Sequence, residues 1–351
     1  MAQPPLKVDL HTHILPERWP DWTKKFGYDG FIHLDHHKPA CARMMCGQRF
    51  FREIESNCWD PEVRMRESEA HGVHVQVLST VPVLFNYWAK PADALDSSRF
   101  LNDHIAGVVR DHPTRFIGLG TLPLQDPDLA ILELERCVRD LHLAGVEIGT
   151  HVNGANLNDA GIVAVLEAAA SLGAAVFVHP WDMLGRDRMQ QYWTPWLVGM
   201  PAETSLAICS MIFGGVFERL PNLRVAFAHG GGAFPGSFGR IEHGYNVRQD
   251  LCACDNPHAP SEYLGRFWVD SLVHDEFMLH QLLRLFGDEK IALGSDYPFP
   301  LGELEPGALI ESAADLSPDV RARLLGVNAL DFLALDAKNF TARAASAARA
   351  R

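Results

Sequence analysis

Short apolar, β-branched stretches recur along the chain and alternate with longer segments that carry helix signals. Eight of them read as strands: VDLHTH (8–13), VHVQVLST (73–80), FIGLGTLPL (116–124), GVEIGTHV (145–152), AAVFVHP (174–180), LRVAFAHGGG (223–232), FWVDSLV (267–273) and IALGSDYPF (291–299). The segments at 60–72 and 126–138 both open Asp-Pro, an N-cap followed by proline at the first helical position, and the first closes on Gly72. Residues 317–335 repeat the device with Ser317 and Pro318. Strands that alternate with helices predict a parallel sheet with right-handed crossovers, and eight of them close into an α/β (β/α)8 TIM barrel. A doubly wound open sheet is the alternative and would place a ligand at one switch point.

One interruption stands out. Residues 16–59 separate the first strand from its helix and hold Trp19, Trp22, the pair His36-His37 and the run CGQRFFREIE. Aromatic content and the lack of low-complexity sequence predict a folded insertion that covers the site as a lid. The chain then reads as a single barrel unit over 1–335 with 16–59 inserted. The tail 336–351, rich in alanine and arginine with no apolar stripe, reads as a frayed helix or as disordered.

Composition narrows the function classes. At 351 residues the chain is long for one domain but ordinary for an α/β barrel, and 47% hydrophobic and 21% charged residues suit a soluble globular protein. No uninterrupted apolar run approaches the roughly 20 residues of a membrane span, so no membrane association is expected. The start, MAQPPLKVDLHTH, leaves no room for a signal peptide, which makes the cytoplasm the expected compartment. A net charge of −13 speaks against nucleic acid as a partner. Seven cysteines at irregular spacing suit reduced thiols, and Cys252-Ala-Cys254 with His258 lacks the spacing of a structural zinc site.

Candidate chemistry gathers at the strand ends, where a barrel of this kind builds its site. Alternation points Asp9, His11 and His13 to one face of the first strand. The fifth strand ends in His179, the sixth in His229 and the eighth in Asp296. Neutral imidazoles with one carboxylate suit a single divalent ion, Zn²⁺ first, with Mn²⁺ or Fe²⁺ as alternatives. A second ion would want a bridging ligand on the fourth strand, where GVEIGTHV has no lysine; Glu147 and His151 read instead as packing and hydrogen-bonding residues. A histidine that is not a ligand can take a proton, and His229, which opens the glycine turn HGGGAFPGSFGR, fits that role. In an acidic chain any anionic substrate must be met by local arginines, for which Arg52 in the lid and Arg240 after the glycine turn are candidates.

D-x-H-x-H, then VHPWDM, AHGGG and GSDYPFPLGE resemble the amidohydrolase superfamily. NCWDPEVR, STVPV, YWAKP, PWLVGMPAET and HGGGAFP narrow the likeness to its branch of 2-amino-3-carboxymuconate-6-semialdehyde decarboxylases, over residues 7 to 335. The resemblance implies a mononuclear zinc enzyme of tryptophan catabolism that releases CO2 without an oxidant or organic cofactor. It implies His11, His13, His179 and Asp296 as ligands of one Zn²⁺ per chain, and His229 as general base, with proton return through His229 or Asp296. Arg52 and Arg240 would hold a dicarboxylate substrate, Arg240 across a homodimer interface, and Trp196 and Phe299 would line the pocket. The residues alone leave open a metal-dependent hydrolase, a decarboxylase of a related aromatic or muconate acid, or an inactive sensor, although a sensor needs no proton-transfer residue at 229.

Overall fold

The computed structural model describes residues 5–341, so the expectation for the tail beyond Thr341 lies outside the described residues. Eight parallel strands follow one another in chain order: β1 (Val8–His13), β2 (Val75–Ser79), β3 (Phe116–Gly120), β4 (Gly145–Gly149), β5 (Ala175–His179), β6 (Arg224–Phe227), β7 (Trp268–Asp270) and β8 (Ile291–Ala292). The sheet closes on itself. Leu10 donates its amide to the Leu293 carbonyl, Asp296 to that of His11, and His13 to that of Tyr297, each at 2.8 Å. These bonds run just beyond β8 and tie it back to β1, which makes the sheet a (β/α)8 barrel.

Local chemistry explains the helices. Asp60 accepts from the amides of Glu62 and Val63 at the start of Pro61–Ala70, Asp126 from Leu129 at the start of Pro127–Arg139, and Ser317 from Val320 at the start of Pro318–Ala322. All three are the N-caps expected from the sequence. In β5, Val176 and Val178 face the helical layer while Ala175, Phe177 and His179 belong to the opposite face. The buried Phe177 ring lies 5.0 Å from that of His11.

Two expected strands are shorter than the sequence suggests. Regular structure ends at Phe227 and Ala292, so His229 and Asp296 stand in the turns that follow, both with left-handed backbone (φ 57°). Non-glycine residues rarely adopt that conformation, and at sites of function it serves to aim a side chain. The insertion after β1 is folded: helix Trp22–Phe26 precedes an antiparallel sheet of Ile32–Lys38, Cys41–Cys46 and Arg49–Glu55. Its core of Trp22, Phe31, Met44 and Ile54 is continuous with Leu101 and Phe299 of the barrel. One helical stretch, Pro195–Phe213, is long and apolar enough to cross a membrane by length and composition, at 19 residues and mean hydropathy 1.4. It contains Pro201 and the buried Glu203, and its Ala207, Ile208, Met211 and Ile212 lie in the barrel's main core.

Phe267 is fully buried among Phe217, Phe227 and Phe286, with ring centroids 5.3 to 5.6 Å away. Phe267→Ala is expected to cost about 3–5 kcal/mol of unfolding free energy, read from a denaturant midpoint. His104, whose Nε2 is shielded without a partner, is lowered to about 4 by burial, against a hydrogen bond with the Leu15 backbone and with the help of Arg64. Between pH 6.5 and 4 the unfolded chain takes up a proton there that the folded chain refuses, so stability falls as pH drops through that window. His104→Gln is expected to flatten part of this fall in denaturant titrations at pH 7 and pH 5.

Candidate active site

At the C-terminal rim of the barrel three imidazoles are oriented by oxygen acceptors. Nδ1 of His11 bonds to Asp270 Oδ2 at 2.7 Å, that of His13 to the Thr80 carbonyl at 2.9 Å, and that of His179 to the Pro180 carbonyl at 2.8 Å. Carbonyl and carboxylate oxygens only accept, so the ring protons sit on Nδ1 and each Nε2 presents a bare lone pair. Those lone pairs converge. The Nε2 atoms of His11 and His13 are 3.2 Å apart, and Asp296 Oδ1 is 3.5 Å and 3.0 Å from them. The donor atoms of His11, His13, His179 and Asp296 all lie within 4.8 Å of one another, and His179 Nε2 is buried with no hydrogen-bond partner among the described residues. Three neutral nitrogens and a carboxylate aimed at one point repel unless a cation lies between them, and this donor set fits one divalent transition ion.

Electrostatics agree with that reading. Burial holds the His13 imidazole below its ordinary range, against the pull of Asp296, and holds that of His179 well below it, so both stay neutral. Burial pushes the Asp296 carboxyl up, but the imidazoles of His13, His229 and His11 outweigh it and keep it ionised, well below the usual carboxylate range. His229 differs from the other three. Burial works to lower it, yet Asp296, with Oδ2 3.8 Å from His229 Nε2, raises it overall. Its ring stands 5.0 Å from that of His179 and 5.2 Å from that of His11, beside the four donors and outside their set. Glu147, fully buried and with Oε1 3.7 Å from His13 Nδ1, is driven well above the carboxylate range by burial.

A cleft open to solvent leads to His13, His179 and Asp296. Phe51 and Arg52 of the lid line it together with Trp193, Trp196 and Phe299. The Arg52 guanidinium lies 4.5 Å over the Phe299 ring, and among the described residues no carboxylate is within ion-pair distance of it. Arg240 is not brought to this cleft: it is exposed on helix Phe234–Val247, away from the lining.

The sequence profile of the amidohydrolase family matches residues 8–335. The chain belongs to that family. A 2-amino-3-carboxymuconate-6-semialdehyde decarboxylase of Dictyostelium discoideum is 61% identical over 335 residues, 95% of this chain and 93% of the relative. An enzyme of the same name from Caenorhabditis elegans is 40% identical over 94% of each chain. Among solved structures, 5-carboxyvanillate decarboxylase LigW from Sphingomonas paucimobilis is similar in fold, with a TM-score of 0.79 at 24% identity, over 94% of this chain and 99% of that one.

This amidohydrolase also uses residues that sequence reasoning missed. Asp270, the last residue of β7, accepts from His11 Nδ1 and from the amides of His229 (2.9 Å) and Gly230 (2.7 Å). One buried carboxylate thus fixes the tautomer of His11 and the turn that carries His229. Its place at a strand end was the available signal. Arg64, fully buried, donates to the carbonyls of His13 (2.7 Å) and Asn57 (2.9 Å) and to Thr12 Oγ1 (3.1 Å), bracing the end of β1. Asp9, which alternation had already placed on the face of His11 and His13, accepts from the Ser295 amide at 3.0 Å and is pushed up to about 7 by burial, against its hydrogen bonds with Ser295 and His11.

Asp270→Asn keeps the volume but presents an amide to His11 Nδ1 and to two backbone donors. Metal affinity is expected to fall about 10- to 100-fold, measured by competition with a chromophoric chelator.

Proposed function

We propose that this amidohydrolase is a metal-dependent carboxy-lyase that converts 2-amino-3-carboxymuconate-6-semialdehyde to 2-aminomuconate semialdehyde and CO2. The carrying observation is identity of 61% and 40%, over nearly the whole chain, to relatives that bear that enzyme's name. The cleft supports it: a buried His₃Asp donor set at the floor, and on the wall a guanidinium with no ion-paired carboxylate among the described residues. Zinc is the ion we assign, since three imidazoles and a carboxylate suit it and the reaction calls for no change of oxidation state. When bound, the ion supplies Lewis acidity, drawing a coordinated water toward ionisation near neutral pH.

The chain's own residues do the rest. Arg52 takes a carboxylate of the dianion in a bidentate pair and offsets its desolvation. Phe299 and Trp196 wall the planar conjugated body of the substrate. His229 accepts a proton at Nε2 when water adds to the substrate, and Asp296, 3.8 Å away, stabilises the imidazolium that results. That proton is then delivered to the carbon next to the departing carboxylate, through His229 or Asp296. The C–C bond breaks, its electrons re-form the double bond and expel the added oxygen as hydroxide, and CO2 leaves; carbon has exchanged CO2 for one proton of water, so no oxidant is consumed.

Arg240 lies on an exposed helix face, and we propose that this face meets a second copy and sends Arg240 into the partner's cleft, completing a site for a dicarboxylate.

The purified protein is expected to bleach the substrate's near-ultraviolet absorbance with one CO2 trapped per turnover; bleaching with no CO2 would indicate a hydrolase instead. His229→Ala is expected to keep its metal and lose about 10²- to 10⁴-fold in kcat. Mixing inactive Arg240→Ala with inactive His229→Ala is expected to restore part of the activity, because one cleft of each mixed dimer carries both wild-type residues. Subunit exchange without recovery would remove Arg240 from the partner's site.

A further inference from the structure

A second group of donors occupies the outer face of the lid sheet. Arg52 lines the cleft, whereas its neighbour Glu53 is exposed to solvent. The adjoining strands bring up Cys41 and His37, one donor from each of the three strands. His37 Nε2 is 3.2 Å from Glu53 Oε2, to which it donates, and its Nδ1 faces the Asp35 carbonyl at 3.4 Å, so an ion at this spot would take the place of the Nε2 proton. Cys41 is 3% exposed, and the donor atoms of His37, Cys41 and Glu53 lie within 4.8 Å of one another. Around a tetrahedral zinc ion such donors stand roughly 3.3–3.8 Å apart, so shifts of about 1 Å would bring them to bonding distance. A cation is already drawn to the spot: Lys38 Nζ sits 3.0 Å from Glu53 Oε1. Its side chain is 54% exposed and free to swing into solvent.

We propose that His37, Cys41 and Glu53 form a site for a thiophilic divalent cation, distinct from the barrel centre, with water completing the coordination. The Cys41 thiol releases its proton to solvent, the His37 proton leaves Nε2 for Nδ1 or solvent, the thiolate, imidazole and carboxylate each donate an electron pair, and Lys38 withdraws still protonated; nothing is oxidised or reduced. The ion staples all three strands directly behind Arg52 and stiffens the sheet that presents it.

The probe is Cd²⁺ added to zinc-loaded protein, with the thiolate-to-cadmium charge-transfer absorbance as readout and metal analysis for stoichiometry. One further equivalent per chain is expected, with an absorbance that vanishes in Cys41→Ser. Affinity is expected to drop at least about tenfold in Glu53→Gln and in His37→Gln, and to rise in Lys38→Met, where the competing ammonium is gone. The last substitution and Glu53→Gln alter exposed side chains, so they report even if Cys41→Ser disturbs the lid. Absorbance that persists in Cys41→Ser, or an affinity that neither Lys38→Met nor Glu53→Gln moves, would overturn the site.

Discussion

The site depends on where three protons sit. Acceptors at Asp270, Thr80 and Pro180 hold them on the Nδ1 atoms of His11, His13 and His179, and this forces three Nε2 lone pairs and the Asp296 carboxylate to face one another in a buried space. Like-signed partial charges at 3.2 Å in a low-dielectric interior are unfavourable without a cation between them. The fold carries that unfavourable term in advance, so ion binding relieves repulsion rather than reorganising the protein. Burial adds to this by keeping His13 and His179 neutral and therefore competent as ligands.

Much of the barrel serves to hold that geometry. The closure of β8 onto β1 through Leu10, His11 and His13 brings Asp296 against histidines almost 300 residues away in sequence. Asp9 bonds Ser295 across the same seam, and Arg64 braces the carbonyl of His13 from outside the barrel. Asp270 couples two functions, since the carboxylate that orients His11 also caps the turn bearing His229. His11 and the residue proposed to move protons are thus positioned by one group, and the left-handed backbone at 229 and 296 aims both side chains toward the rim.

The sequence reveals these features unevenly, for physical reasons. Alternation along VDLHTH is a local property, so the shared face of His11 and His13 is readable, as are the strand-end positions of His179, His229 and Asp296 and the N-caps Asp60, Asp126 and Ser317. Where regular strand stops before His229 and Asp296 was less visible, because a left-handed turn at a non-glycine residue is imposed by its surroundings and not by propensity. The orienting acceptors were hidden for a related reason. Two are backbone carbonyls with no residue signature, and the third, Asp270, like the donor Arg64, acts through contacts that close only when the barrel does. The lid's aromatic content announced a folded segment, but its three-strand register, which places Arg52 inward and Glu53 outward, emerges only from strand pairing.

The central claim is that one ion is held by three Nε2 nitrogens and one carboxylate. X-ray absorption spectroscopy on protein carrying a single equivalent of zinc tests it directly. The expected result is a first shell of nitrogen and oxygen alone near 2.0–2.1 Å, with outer-shell scattering of three imidazoles. A sulfur scatterer near 2.3 Å, or fewer than three imidazoles, would contradict it.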